Sequence, residues 1–238
     1  MPWPTLTEVL TTWLPFRYRE EHYQVGPHVL RIRTPRFMTR IYDRIDPDQR
    51  NAAISEAAFP LAGIVWPCGE VLAHYLLDMD LAGRKVLEIG CGMGLASQLL
   101  GILKVDLTAM DIHPLVSEYL QMNARINRLK PPVFVEASWS DPSVNLGRFD
   151  LVIASDILYE PRHSDHLAGF IDRHAVAEVI IVDPDRGQAN VFISEMQQRG
   201  FRWETDRPAF LDTLDLAYQV QIHRFIRSTD SDPDSAPA

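Results

Sequence analysis

The sequence predicts an α/β fold: a doubly wound, Rossmann-like sheet of seven strands, with an N-terminal extension that carries a β-hairpin. Three observations predict it. Short apolar runs alternate with helical patterns from Val86 onward, three glycines follow the first run, and an acidic residue ends the second. Strands separated by helices of this length form a parallel sheet. Because such a sheet binds ligands at the carboxyl ends of its strands, candidate functional residues are sought there.

The apolar runs and the helical patterns define the order of the elements. The predicted strands are residues 85–89, 105–110, 133–137, 149–154, 178–182, 201–205 and 216–226, the last two forming a pair. The predicted helices are residues 94–103, 114–129, 163–174 and 188–199. Pro114 is tolerated in the first turn of a helix, and Gly200 is a usual helix stop.

The first 80 residues follow a different pattern and are predicted to pack on the sheet as an extension. Residues 23–33 show turn-flanked alternation, which predicts the hairpin, and residues 68–79 have a helical pattern. The domain that contains the sheet is then expected to span residues 81–227. Residues 228–238 are polar, acidic and contain proline, so this tail is predicted to be disordered.

Composition and charge exclude several classes of protein. The chain has 238 residues and a net charge of −9, which argues against a protein that wraps the nucleic acid backbone. The one basic stretch, residues 31–36 with Arg40 and Arg44, is predicted to be a solvated face. Cys68 and Cys91 form no disulfide framework, which predicts a reducing, cytoplasmic compartment. The sequence contains no apolar run long enough to predict a membrane span, and its histidines lack metal-ligand spacing.

Glycines at alternate positions follow the first predicted strand. Gly90, Gly92 and Gly94 come directly after Glu88 and open a predicted helix. Glycine lets the backbone turn sharply and approach a ligand, and a helix N-terminus offers unpaired N–H groups. The dinucleotide fingerprint, Gly-x-Gly-x-x-Gly, would place its last glycine on Leu95, so that fingerprint is absent. A purely structural glycine turn is the alternative.

The spacing acidic-x-Gly-x-Gly-x-Gly resembles motif I of the class I S-adenosylmethionine (SAM)-dependent methyltransferases. Asp111 ends the second strand, where a carboxylate can accept both hydroxyls of a ribose, although it could instead cap a helix. The resemblance implies SAM as the cofactor, backbone contacts to its methionine part, packing against its adenine, and an acidic residue that supports the loop. The residues to which it assigns these contacts are Glu88, Gly90, Cys91, Gly92, Asp111 and Ile112.

A second polar group ends the predicted fourth strand. The sequence Ser155-Asp156-Ile-Leu-Tyr159 stands where the methyl acceptor must meet the cofactor, and it lacks the Asn/Asp-Pro-Pro-Tyr/Phe signature of base-directed enzymes. Asp156-x-x-Tyr159 resembles the motif of the family-16, seven-β-strand protein lysine methyltransferases. Trp66 and Ser138-Trp139 resemble cofactor contacts of that family. As alternatives, both tryptophans could be core residues, and Asp156 could cap a turn.

The resemblance covers roughly residues 60–226. Within the family, Trp66-Pro67-x-Gly69 and residues 182–187 are closest to the branch that methylates the electron transfer flavoprotein β-subunit. Asp185 departs from this pattern, because that branch has glycine there.

The resemblance implies methyl transfer from SAM to an amine, above all a lysine side chain of a protein partner. A lysine with a pKa of about 10.4 is protonated at neutral pH and lacks the lone pair that attacks the methyl group. Asp156 and Tyr159 are therefore the expected catalytic residues: Asp156 orients the amine, and Tyr159 closes the pocket. The alternatives are a small-molecule amine as acceptor, or a catalytically silent binding module. Neither a nucleic acid nor a membrane is an expected partner.

Overall fold

The computed structural model describes residues 18–36, 59–158, 164–185, 187, 189–216 and 218–228. Tyr159, one of the two predicted catalytic residues, lies outside the described residues. So do Arg40, Arg44 and all but the first residue of the predicted disordered tail.

Seven strands form one sheet: β3 (Lys85–Ile89), β4 (Asp106–Asp111), β5 (Val133–Glu136), β6 (Phe149–Ser155), β7 (Ala175–Asp183), β8 (Phe201–Asp206) and β9 (Gln221–Arg227). Their order across the sheet is β5-β4-β3-β6-β7-β9-β8. The first five strands pair in parallel, and β9 is antiparallel to both β7 and β8. The predicted seven-stranded, doubly wound sheet is therefore confirmed.

The last strand begins later than the sequence predicts. It starts at Gln221 rather than at Leu216, because Leu216 and Tyr218 pack on the hydrophobic core instead of pairing with a neighbouring strand. A short 3-10 helix, Ala209–Thr213, precedes this segment. Apolar side chains thus extended the predicted strand into a segment whose described residues, 216 and 218–220, are not part of a strand.

Within the described residues, five α-helices cover the two faces of the sheet. They are α1 (Pro67–Leu77), α2 (Leu95–Ile102), α3 (Val116–Ile126), α4 (Ser164–His174) and α5 (Ala189–Gln198). Successive strand residues point to opposite faces of a sheet, and β6 shows this directly. Ile153 joins the core under α1 and α2, whereas Val152 joins the core under α4 and α5. The predicted helices are confirmed, with ends displaced by at most three residues.

The predicted hairpin is present and longer than expected. Strands β1 (Tyr18–Val25) and β2 (His28–Pro35) pair antiparallel, and Gly26 adopts a φ of +54° in the turn. Leu30 and Ile32 of β2 are fully buried in the same core as α1 and α2. The domain boundary near residue 80 stays a prediction. In the described part of the chain, none of the helices is long and apolar enough to cross a membrane.

Candidate active site

The carboxyl ends of three adjacent strands bring the predicted site residues to one edge of the sheet. β3 lies between β4 and β6, and Ile89 pairs with both Met110 and Ala154. The glycine loop that follows Ile89 therefore emerges between Asp111 and Ser155. Neighbouring strands lie about 4.8 Å apart, so the loop and the two flanking strand ends form one continuous surface.

The glycine loop has a backbone shape that favours glycine. Gly90, Gly92 and Gly94 have φ values of +65°, +49° and +72°, in the left-handed region that other residues rarely enter. The N–H groups of Gly90 and Cys91 donate to the Met110 carbonyl at 2.8 and 3.2 Å, which holds the loop against β4. The alternate glycines are thus required by the turn itself.

Asp111 ties the loop to the end of β4. Its Oδ2 accepts the Gly92 N–H at 2.9 Å, and its Oδ1 accepts the His113 N–H at 2.9 Å. The residue is only 9% exposed, and burial raises the pKa of its carboxyl above the ordinary value. Asp111 is therefore a structural support of the loop as well as the predicted ribose ligand.

Glu88 is buried beneath the loop, where it accepts a hydrogen bond from the Ser97 hydroxyl of α2. Burial raises the pKa of Glu88 to about 7, and the nearby Asp111 carboxylate acts in the same direction. The carboxyl thus links the end of β3 to the first turns of α2. The sequence prediction of loop support did not include Ser97, which lies nine residues away along the chain.

We expect Glu88→Gln to flatten the pH dependence of stability. The folded chain binds the Glu88 proton more tightly than an unfolded chain with a pKa near 4.5, so the free energy of unfolding falls as pH rises from about 4.5 to 7. This difference corresponds to about 3 kcal/mol at most. Glutamine still accepts the Ser97 hydrogen bond but does not ionise. Urea denaturation at pH 5 and pH 8 measures the free energy of unfolding of the wild type and of the variant. An equal loss of stability between the two pH values in both proteins would contradict the prediction.

Two apolar side chains and a 3-10 helix, Phe59–Gly63, border the loop. A side chain at Gly90 would meet Ile157 at 3.0 Å and Trp139 at 4.0 Å, and one at Gly92 would meet the Ala62 carbonyl at 3.9 Å. The structure therefore brings Trp139 beside the glycine loop, and its contact with the cofactor stays a prediction. Ile157 was not among the sequence candidates, although it stands within Asp156-x-x-Tyr159.

The remaining cofactor candidates have more local contacts. The Trp66 indole donates to the Leu61 carbonyl at 3.1 Å, and the Ser138 hydroxyl bonds with that of Ser140 at 2.6 Å in its own turn. Ile112 is partly exposed. Cys91 is buried, and burial raises the pKa of its thiol well above the usual range.

The acceptor side of the site begins where β6 ends. Asp156 has a φ of +54°, and its N–H donates to the Val182 carbonyl of β7 at 2.9 Å. A left-handed non-glycine residue costs roughly 1–2 kcal/mol, and such residues concentrate at functional sites. A side chain at Gly69, in the first turn of α1, would meet the Ser155 hydroxyl at 3.6 Å. The first turn of α1 therefore borders the same edge of the sheet.

Beyond Asp156, the end of β7 adds an acidic turn. Asp183 Oδ2 accepts the N–H of Asp185 at 2.8 Å, and Asp185 is itself left-handed, with a φ of +52°. The glycine that the family resemblance implies at position 185 would suit this φ. The aspartate present there adopts the same conformation, which aspartate tolerates better than most residues.

The architecture is the Rossmann-like fold of the SAM-dependent methyltransferases. It is similar to the magnesium protoporphyrin IX methyltransferase of Synechocystis PCC 6803, whose crystal structure contains bound SAM. The TM-score is 0.53 at 20% sequence identity, over 68% of this chain and 78% of that one. At this identity the similarity establishes the fold alone.

Residues 50–199 match methyltransferase family 16, described as lysine methyltransferase. The chain belongs to this family. The electron transfer flavoprotein beta subunit lysine methyltransferase of Danio rerio is 34% identical over 138 residues, which are 54% of this chain and 52% of that protein. The Mus musculus protein of the same name is 31% identical over the same shares. The matched part thus spans about half the length of these relatives.

Proposed function

We propose that the chain transfers a methyl group from SAM to an amine, most specifically to a lysine side chain of a protein. The observation that carries the proposal is the convergence of the glycine loop, Asp111 and Asp156 at the ends of three adjacent strands. Donor-binding and acceptor-binding groups thereby share one surface of the sheet. Family membership supports lysine as the acceptor.

The residues present suit SAM in several respects. The positive φ values of Gly90 and Gly92 allow a ligand to approach the backbone closely. Both Asp111 oxygens accept backbone N–H groups, and an ionised carboxylate has about four acceptor sites, so acceptor capacity is left for a ribose hydroxyl. Trp139 and Ile157 offer apolar surface beside the loop for the adenine. When bound, SAM supplies the electrophilic methyl group on its sulfonium.

Asp156 is proposed to orient the acceptor. In-line displacement needs the amine lone pair close to the methyl carbon and opposite the leaving sulfur, and positioning supplies much of the rate. The hydrogen bond from its N–H to Val182 holds the backbone of Asp156 at the end of β6. Its carboxylate can accept a hydrogen bond from the incoming amine once that amine has lost its extra proton. Tyr159 is proposed to close the pocket, as the resemblance implies.

The proposed acceptor is a protein, and the electron transfer flavoprotein β-subunit is the first one to test. The names of the two relatives support this choice. We also propose a cytoplasmic location, in keeping with two buried cysteines that form no disulfide.

Two measurements test the function. Titration calorimetry measures SAM binding, and incubation with labelled SAM and either the β-subunit or a cell lysate locates the transferred methyl group. We expect label on a protein band that maps to a lysine. Label confined to the small-molecule fraction would identify a metabolite acceptor, and failure to bind SAM would favour a silent binding module.

A matched pair of variants ties the binding to the site. Asp111→Asn leaves a neutral amide at the carboxyl end of β4 and is expected to weaken SAM binding at least tenfold, because hydrogen bonds to a charged group are stronger than neutral ones. Asp106→Asn makes the same change at the exposed start of that strand and is expected to bind SAM normally. Equal affinities of the two variants would contradict the role of Asp111.

A further inference from the structure

Two asparagine side chains join α3 to the free edge of the hairpin. Asn127, which caps α3, accepts the Arg31 N–H at 2.9 Å and donates to the Arg31 carbonyl at 2.8 Å. Asn123, one turn earlier, accepts the Arg33 N–H at 2.9 Å. The two side-chain amides thereby take the place of a neighbouring strand along β2.

The spacing of these residues explains why the two asparagines fit the edge of β2. Residues 31 and 33 are two apart on a strand, so their backbone groups on one edge repeat at about 6.6 Å. Residues 123 and 127 are four apart on a helix, which is a rise of about 6 Å on one face. The asparagines therefore meet successive groups of the strand edge.

Asn123 also contacts the glycine loop, whereas Asn127 makes no such contact within the described residues. Its Nδ2 donates to the Met93 carbonyl at 3.2 Å, and the residue is fully buried. One amide thus binds β2 through its oxygen and the loop through its nitrogen. Leu120, on the preceding turn of α3, packs directly against Gly94 of the same loop.

We propose that Asn123 is a positioning residue for cofactor binding, and that through it the hairpin is part of the support of the cofactor loop. A buried amide that lost either partner would leave a desolvated polar group, so the hairpin edge and the Met93 carbonyl are held at a fixed separation. This proposal rests on the proposed function for its effect on SAM affinity. Its effect on the loop itself is independent of SAM.

The test compares Asn123→Ala with Asn127→Ala in the full chain. Each variant removes one side-chain amide from the same strand edge, but only Asn123→Ala also removes the bond to Met93. We expect Asn123→Ala to raise the Kd for SAM at least tenfold and Asn127→Ala to change it less than twofold. In the protein without SAM, we expect faster hydrogen exchange at residues 90–94 in Asn123→Ala only.

A third variant tests whether the hairpin supports the cofactor loop. Arg33→Pro removes the N–H that Asn123 accepts and the Arg33–Glu20 ion pair, yet leaves Asn123 and its bond to Met93 in place; Arg33→Ala, which loses the ion pair but keeps the N–H, is its control. This N–H faces α3 rather than β1, so proline does not remove a hydrogen bond of the hairpin ladder. We expect a Kd for SAM raised about threefold to fivefold, with faster exchange in the loop.

The outcomes separate the two proposals. Equal changes in Kd and in loop exchange for the two alanine variants would show a general loss of stability and overturn the positioning role. A normal loop in Arg33→Pro would remove the hairpin from the proposal. If the wild-type chain bound no SAM, the proposed function would fail, and the exchange measurements would still decide the role of Asn123. If Asn123→Ala did not fold, Arg33→Pro would carry the test.

Discussion

Asp156→Asn is expected to lower the rate of methyl transfer at least about 100-fold while leaving the Kd for SAM unchanged. The carboxylate lies at the end of β6, beyond the glycine loop that is proposed to hold the cofactor. Asparagine has nearly the same shape but no charge, so it orients an amine less strongly. The loss should appear in kcat with SAM saturating, because the acceptor rather than the donor is misplaced.

The backbone of Asp156 makes this substitution informative. Its φ of +54° is a conformation that asparagine tolerates as well as aspartate does, so the variant keeps the turn and the hydrogen bond to Val182. Asp185→Asn is the matched control, because Asp185 is also left-handed and follows the neighbouring strand β7. We expect the control to retain at least half of the wild-type rate. Similar losses of rate in both variants would mean that the overall negative charge at this edge of the sheet, rather than Asp156 itself, determines the rate.

The sequence predicted the sheet well because each strand is signalled locally. Strand β3 was predicted with its observed bounds, since Lys85–Ile89 stands between turn residues and the glycine loop. Strand β7 extends further than predicted, from Ala175 to Asp183, because pairing with β6 and β9 recruits residues whose own pattern is not strand-like. The predicted start of helix α1, at residue 68, is one residue too late, because the helix already includes Pro67 in its first turn.

The site was predicted less completely, because several of its contacts join residues that are distant in sequence. The glycine loop and Asp111 carry a recognisable spacing. Ser97 meets Glu88, and Asn123 meets Met93, only after the strand and helix have packed. No sequence pattern predicts that an asparagine within a helix makes two buried contacts. The sequence indicates only that this asparagine is a polar residue on the otherwise apolar face of α3.

Gly94→Ala is expected to destabilise the fold by about 3 kcal/mol and to weaken SAM binding at least tenfold. Gly94 caps the N-terminus of α2 with a φ of +72°, where alanine costs roughly 1–2 kcal/mol. A methyl group there would also overlap the Leu120 side chain, which is buried against Cys91 and Val116. Overpacking a closed core adds about 1–3 kcal/mol.

Gly83→Ala separates the two costs, since Gly83 has a nearly equal φ of +71° but open space around the position of a Cβ. It should therefore lose only the conformational part, roughly 1–2 kcal/mol, and bind SAM normally. Urea denaturation gives the two stabilities, and calorimetry gives the affinities. The difference between the variants measures how tightly α3 presses on the cofactor loop. Equal losses would mean that Leu120 moves aside without cost, and the close packing of helix against loop would then not constrain the cofactor site.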